Sequence, residues 1–175
     1  MRAQRHALWA PGYARPTRVE SRLRELGLTL PPPVRLPPGV VLPFAAVRVV
    51  GDRGLISGYA PQAPDGSLAP PFGKVSAGVS PEQARGAARL VALSMLGSLS
   101  RALGDLERIE AWGRVFGMVG AAPGMTDLPA VINGFSDLIL KVSGPEVGQH
   151  ARSAVGLADL PWNIPVEAEV RVRPG

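Results

Sequence analysis

Near the C-terminus the chain reads Gln149-His150-Ala151-Arg152-Ser153-Ala154-Val155-Gly156-Leu157, turns through a Pro-containing segment, and continues Val166-Glu167-Ala168-Glu169-Val170-Arg171-Val172. Both segments read as strands, and the second fixes what kind of sheet they belong to. Val166, Ala168, Val170 and Val172 point to one side, while Glu167, Glu169, Arg171 and Arg173 point to the other. That alternation predicts one face packed under helices and an opposite face that is charged, alternating in sign, and suited to water or to a polar subunit interface. Arg152 lies inside the small-residue strand, with Glu167 fifteen residues later in the next one. A guanidinium on a strand is a rigid, permanently charged fork for a planar carboxylate, and a nearby carboxylate can position water or carry a proton. The residues alone leave a second reading open, in which Arg152 and Glu167 form an internal ion pair.

Working outward, helices precede these strands. Ser80-Pro81-Glu82-Gln83 combines a capping serine, proline at the first helical position, an acid at the positive end of the dipole and a capping-box glutamine. Ala84, Ala88, Val91, Met95, Leu99 and Leu103 then recur at three- and four-residue spacing up to Gly104. A second helix opens at Asp127-Leu128-Pro129, carries Val131, Phe135, Leu138, Ile139 and Val142, and should close near Gly144-Pro145. Between them Ile109–Ala121 reads as a long strand, in which Trp112 and Phe116 are core or subunit-contact residues. Upstream, Phe44–Val50 and Leu55–Tyr59 flank the turn Gly51-Asp52-Arg53-Gly54 as a hairpin, and Gly73–Gly78 is short and extended. A short helix from Thr17 to Gly27 is followed by the proline-rich connector containing Pro31-Pro32-Pro33 and Pro37-Pro38. The fold class is therefore α+β: a mixed sheet with two helices packed on one face. The organisation is a basic arm over 1–18, a helix and connector over 19–43, and one domain over 44–175.

Composition narrows the chemistry. A length of 175 residues suits a single self-sufficient core. Without cysteine there is no disulfide, thiol nucleophile or thiolate metal site, and His6 and His150 alone do not suggest a metal centre. No apolar run is long enough to cross a membrane, so the expectation is a soluble, cytoplasmic protein. The net charge of +5 is local: residues 1–24 hold six of the nineteen basic side chains and one of the fourteen acidic ones, leaving thirteen of each sign in the remainder. A basic face for nucleic acid is not expected on such a domain. The arm itself resembles neither a secretory signal nor a transit peptide. It is expected to be disordered, or to be absent from a native chain starting at Val19.

Leu55-Ile56-Ser57-Gly58, the Ser80–Gly104 helix, Val131-Ile132-Asn133-Gly134, Ala151-Arg152-Ser153 and Val166-Glu167-Ala168-Glu169 occur in an order and spacing that resembles the RidA/YjgF family. These are the reactive intermediate deaminases, also called endoribonuclease L-PSP proteins, with a chorismate-mutase-like fold, and the likeness runs from about Ser21 to Arg173. It implies a homotrimer with clefts between neighbouring subunits and no cofactor or metal. It also implies hydrolysis of enamines or imines to a keto acid and ammonia. In that setting Arg152 matches the arginine that grips the substrate carboxylate, Glu167 the acid that orients water, and Ser57 and Gly58 the segment lining the cleft. Three positions depart from the pattern. Phe44 stands where a cleft tyrosine is usual, Ala154 where cysteine, threonine or serine is common, and Tyr59 where glutamine is usual, its hydroxyl a candidate replacement for the missing one. The expected partners are thus a second and third copy of the chain and a small carboxylate-bearing metabolite. The alternatives are a non-catalytic trimer binding such a metabolite or a protein partner and, behind it, a ribonuclease. His150 reads as a surface histidine and Asn133 as a backbone hydrogen-bonding residue.

Overall fold

In the computed structural model, residues 17–36 and 38–175 are described, and most of the basic arm lies outside them. Helix α1 (Arg18–Glu25) already begins at the edge of that arm, because Thr17 caps it in a capping box with Glu20. Arg18 and the Val19 amide both reach the carboxylate of Glu107, so Thr17 and Arg18 belong structurally to the domain. The strands β1 (Val47–Val50) and β2 (Arg53–Tyr59) form the expected hairpin, with Phe44 left before the first strand. The short extended stretch splits into β3 (Lys74–Val75) and β4 (Gly78–Val79), a small parallel pair.

Helix α2 (Pro81–Leu103) starts where the sequence indicates. The Gln83 amide donates to Ser80 Oγ at 3.1 Å, and Gln83 Oε1 accepts from the Ser80 amide at 2.9 Å. All six apolar-stripe residues are buried, and Gly104, at a φ of 80°, ends the helix. Strand β5 (Ile109–Gly120) follows, then α3 (Leu128–Gly148). The break expected at Gly144-Pro145 is real, with Gly144 at φ 80° and ψ 166°, but helical bonding resumes for one more turn to Gly148. Arg22 from α1 donates to the Val142 carbonyl at 3.0 Å, satisfying an acceptor that the break exposes.

Strands β6 (Ala151–Leu157) and β7 (Val166–Pro174) complete a five-stranded mixed sheet ordered β1-β2-β7-β5-β6. Only the β5–β6 pair is parallel. The core lies between this sheet and α2 and α3, with α1 against the end of α3. Trp112 is buried there in an edge-to-face contact with Phe135 at 6.2 Å, its Nε1–H donating to Ser143 Oγ. Phe116 is only half-buried; its register partner Glu169 places it on the other face. Expected charges and unexpected apolar groups share that open face: Glu167, Glu169 and Arg171 alternate with Phe116, Met118 and Val155 of the neighbouring strands.

Candidate active site

Register decides which way Arg152 points. It is paired with Val115, which is fully buried under the helices, so its side chain rises on the helix side of the edge strand β6. There Arg152 Nη1 donates to Asn133 Oδ1 at 2.9 Å and to Ser136 Oγ at 3.0 Å, while Nη2 makes a long contact of 3.5 Å with the Pro129 carbonyl. All three acceptors belong to the first turns of α3 and all are neutral. Among the described residues Arg152 makes no ion pair, so the internal bridge to Glu167 is not what the structure shows. Held by neutral acceptors alone, the guanidinium keeps a charge that no carboxylate offsets among the described residues, and its planar fork suits a carboxylate bound side-on.

Behind the arginine stands a relay that sequence reading missed. His150 is half-buried rather than a surface residue, its ring edge-to-face with Phe135 at 6.4 Å. Its Nδ1 lies 2.7 Å from the Gly148 carbonyl and therefore carries the proton. Its Nε2 is then an acceptor, 2.9 Å from Ser136 Oγ. The Ser136 hydroxyl donates to His150 and accepts from Arg152, so each polar atom of the chain is satisfied in one consistent direction. Burial holds the His150 pKa below its ordinary value, a shift the Gly148 hydrogen bond opposes and the Arg152 charge assists. Asn133 serves this same arginine with its side chain, not the backbone. The extra turn after Gly144 explains the arrangement, since it places the Gly148 carbonyl beneath the imidazole.

Glu167 is built differently. On β7 its neighbours Val166 and Ala168 face the helices, so its carboxylate projects from the open face. Opposite it, the β2–β7 register slips between Ile56 and Tyr59, leaving Ser57 and Gly58 as a bulge. The Glu167 carboxylate lies directly over Gly58, in the space a Cβ there would occupy. Ser57 is fixed by its hydroxyl donating to the Ala45 carbonyl at 2.8 Å, which also anchors the segment carrying Phe44. Burial pushes the Glu167 carboxyl above its ordinary range, and the like charge of Glu169 adds to the effect.

These groups line one cavity of about 270 Å³, together with Val34, Leu36, Leu42, Trp162 and Ile164. Trp162 and Asn163 both sit at left-handed φ, 53° and 57°, an uncommon conformation for side chains of this size. Neither the connector residues nor Trp162 stood out in the sequence, because each is an isolated apolar residue in a proline-containing loop.

Of the seven candidate residues, the structure brings Phe44, Ser57, Gly58, Tyr59 and Glu167 to this cavity. Arg152 and Ala154 lie elsewhere, on the helix side of β6, separated from β7 by the whole of β5. Tyr59 does not restore the hydroxyl absent at Phe44. Only 7% exposed, it turns its phenol to Ser98 on α2, and burial raises its pKa. Among the described residues no cluster of three or more metal-ligating side chains occurs, and no helix is long and apolar enough to cross a membrane.

No protein-family profile matches the chain. Protein TCP17 of Trypanosoma cruzi is 35% identical over 155 residues, spanning 89% of this chain and 93% of that protein. Among solved structures, a protein of unknown function from Agrobacterium tumefaciens is 35% identical with a TM-score of 0.79, covering 90% of this chain and 94% of the other. A provisionally assigned endoribonuclease from Shewanella oneidensis is 28% identical with the same TM-score, covering 89% and 98%. A more distant one, RidA from an Antarctic Psychrobacter, is 21% identical with a TM-score of 0.52, covering 78% and 92%, a likeness of fold.

Proposed function

The chain belongs to the RidA/YjgF family, and from that premise we propose that it hydrolyses small imino or enamino acids to keto acids and ammonia, in clefts formed between copies of the chain. One observation carries the reading. Arg152, anchored by neutral acceptors with no carboxylate partner among the described residues, and Glu167, in an apolar cavity, lie on opposite faces of one sheet. Neither half is a site alone. A second copy placing its β6 edge against the first copy's cavity supplies both. Closed oligomers repeat such a heterologous contact around a symmetry axis, and a trimer does so three times.

In that cleft the guanidinium holds the substrate carboxylate and so fixes the adjacent C=N carbon. Water hydrogen-bonded to Glu167 adds to this carbon, its proton passing through the carboxylate to the nitrogen. The carbinolamine hydroxyl proton passes to the nitrogen as the C–N bond breaks and the carbonyl forms, so ammonia leaves; an enamine enters the same route after tautomerising to the imine, its β-carbon gaining a proton and its nitrogen losing one. A carboxyl whose pKa is raised by burial exchanges that proton more readily near neutral pH, and positioned acid–base groups of this kind contribute about 10²–10⁴-fold in rate. Orientation supplies the rest for a substrate that already hydrolyses slowly in water.

A second reading, a trimer that binds a carboxylate metabolite without turnover, draws on Phe44 and Ala154, which remove two hydroxyls from the proposed cleft. Ammonia release from freshly generated 2-aminoacrylate separates the two. Turnover by the wild type that is lost in Arg152→Ala supports the deaminase. Carboxylate binding without turnover in the wild type supports the second reading.

A further inference from the structure

We propose that the cavity beside Glu167 is a side-chain pocket, selecting imino acids with a large apolar side chain, of leucine or phenylalanine size, over three-carbon substrates. The inference rests on the preceding reading and adds the substrate class. At about 270 Å³ the cavity has room for several waters. A three-carbon imino acid presents only a methyl group to it, because its carboxylate is taken by Arg152 of another copy and its C=N by Glu167. Most of the space would then hold water against apolar walls, which is unfavourable.

The walls are built for something larger. Val34, Leu36 and Leu42 come from the connector, Phe44 from the segment before β1, and Trp162 and Ile164 from the segment before β7. The two aromatic rings remain 55% and 46% exposed while lining the cavity. Trp162 is held there at positive φ, a backbone conformation uncommon for a side chain of this size. The polar groups are Ser57 on β2, Glu167 on β7 and the buried Gln62, whose Nε2 donates to the Gly66 carbonyl at 3.3 Å while its Oε1 has no partner among the described residues. Ser57 already spends its proton on Ala45, which leaves Glu167 as the charged group on the wall. A pocket with one charged group and aromatic walls suits a molecule with one reacting end and one apolar arm.

The test is calorimetric titration of the full chain with pyruvate, 4-methyl-2-oxopentanoate and phenylpyruvate, the keto acids that such reactions release. Affinity is expected to rise along that series by at least tenfold, equivalent to about 1.4 kcal/mol or the burial of about 55 Å² of apolar surface. Trp162→Ala should reduce phenylpyruvate affinity severalfold more than pyruvate affinity, and Arg152→Ala should weaken all three together. Equal binding of pyruvate and phenylpyruvate, both dependent on Arg152, overturns the inference while leaving the carboxylate site standing; the cavity is then filled by the neighbouring copy. Binding of none of the three overturns the carboxylate reading itself, and the pocket assignment with it.

Discussion

The carboxylate of Glu167 occupies the space directly above the Cα of Gly58, on the far side of a bulge from the core. Gly58 is exposed, and what a Cβ would meet is the end of a flexible side chain rather than backbone. Gly58→Ala should therefore fold almost normally while pushing Glu167 aside. We expect deaminase turnover to fall by about tenfold or more, in line with the loss expected when a catalytic group is misplaced by an ångström. Thermal unfolding beside steady-state ammonia release checks this. A large fall in melting temperature would instead make the glycine structural.

Glu167 also sets a pH dependence of stability. Its folded-state pKa is raised, so its contribution is fully present below the ordinary glutamate value and is lost as pH rises through the folded value. Glu167→Gln removes that loss. The variant should be more stable than wild type at neutral pH, with the difference vanishing at acidic pH, as read from denaturant midpoints across the range.

His150 has the opposite sign. Its folded pKa is depressed, so stability present above the ordinary histidine value is lost as pH falls towards the folded value. The charged groups facing it are few: Arg152 through Ser136, which adds to the depression. His150→Gln keeps an acceptor for Ser136 and removes the titration. Its stability should be flatter than that of wild type between neutral and mildly acidic pH, and an unchanged slope would assign the acid sensitivity to another group.

The packing of the two long helices hinges on Gly134. A Cβ there would run into the Arg85 carbonyl, a backbone atom that cannot swing away. Gly134→Ala should destabilise by about 2–3 kcal/mol, or roughly 4–12 °C in melting temperature for a chain of this size. Arg85→Ala, which removes only the exposed side chain and its bond to Asp137, should cost less than about 1 kcal/mol.

Local signals wrote most of the fold into the sequence. The Ser80–Gln83 capping box and the strict alternation of Val166–Arg173 each bind a few neighbouring residues and appear where they were expected, and the hairpin turn falls at Gly51-Asp52, shorter than expected because Arg53 and Gly54 already pair in β2. The site was less legible. Arg152 and Glu167 could be picked out by type and by family likeness, but their opposite facing depends on strand order and on the β5–β6 register. Residue spacing does not contain that information. Ser136 and His150 are tied to Arg152 only because α3 breaks at Gly144 and adds a turn, a consequence visible once the helix has packed. The apolar wall from Leu36, Leu42 and Trp162 is scattered over more than a hundred residues with no periodicity to betray it.

Subunit complementation decides whether one copy supplies the arginine and its neighbour the glutamate of a shared site. Arg152→Ala and Glu167→Gln chains, each expected to be inactive towards 2-aminoacrylate, would be co-expressed in equal amounts and purified as mixed assemblies verified by native mass spectrometry. If one copy supplies the arginine and its neighbour the glutamate, random mixing leaves about a quarter of the clefts intact, and about a quarter of wild-type ammonia release should return. Mixed assemblies as inactive as either parent, beside an active wild type, would contradict the shared site.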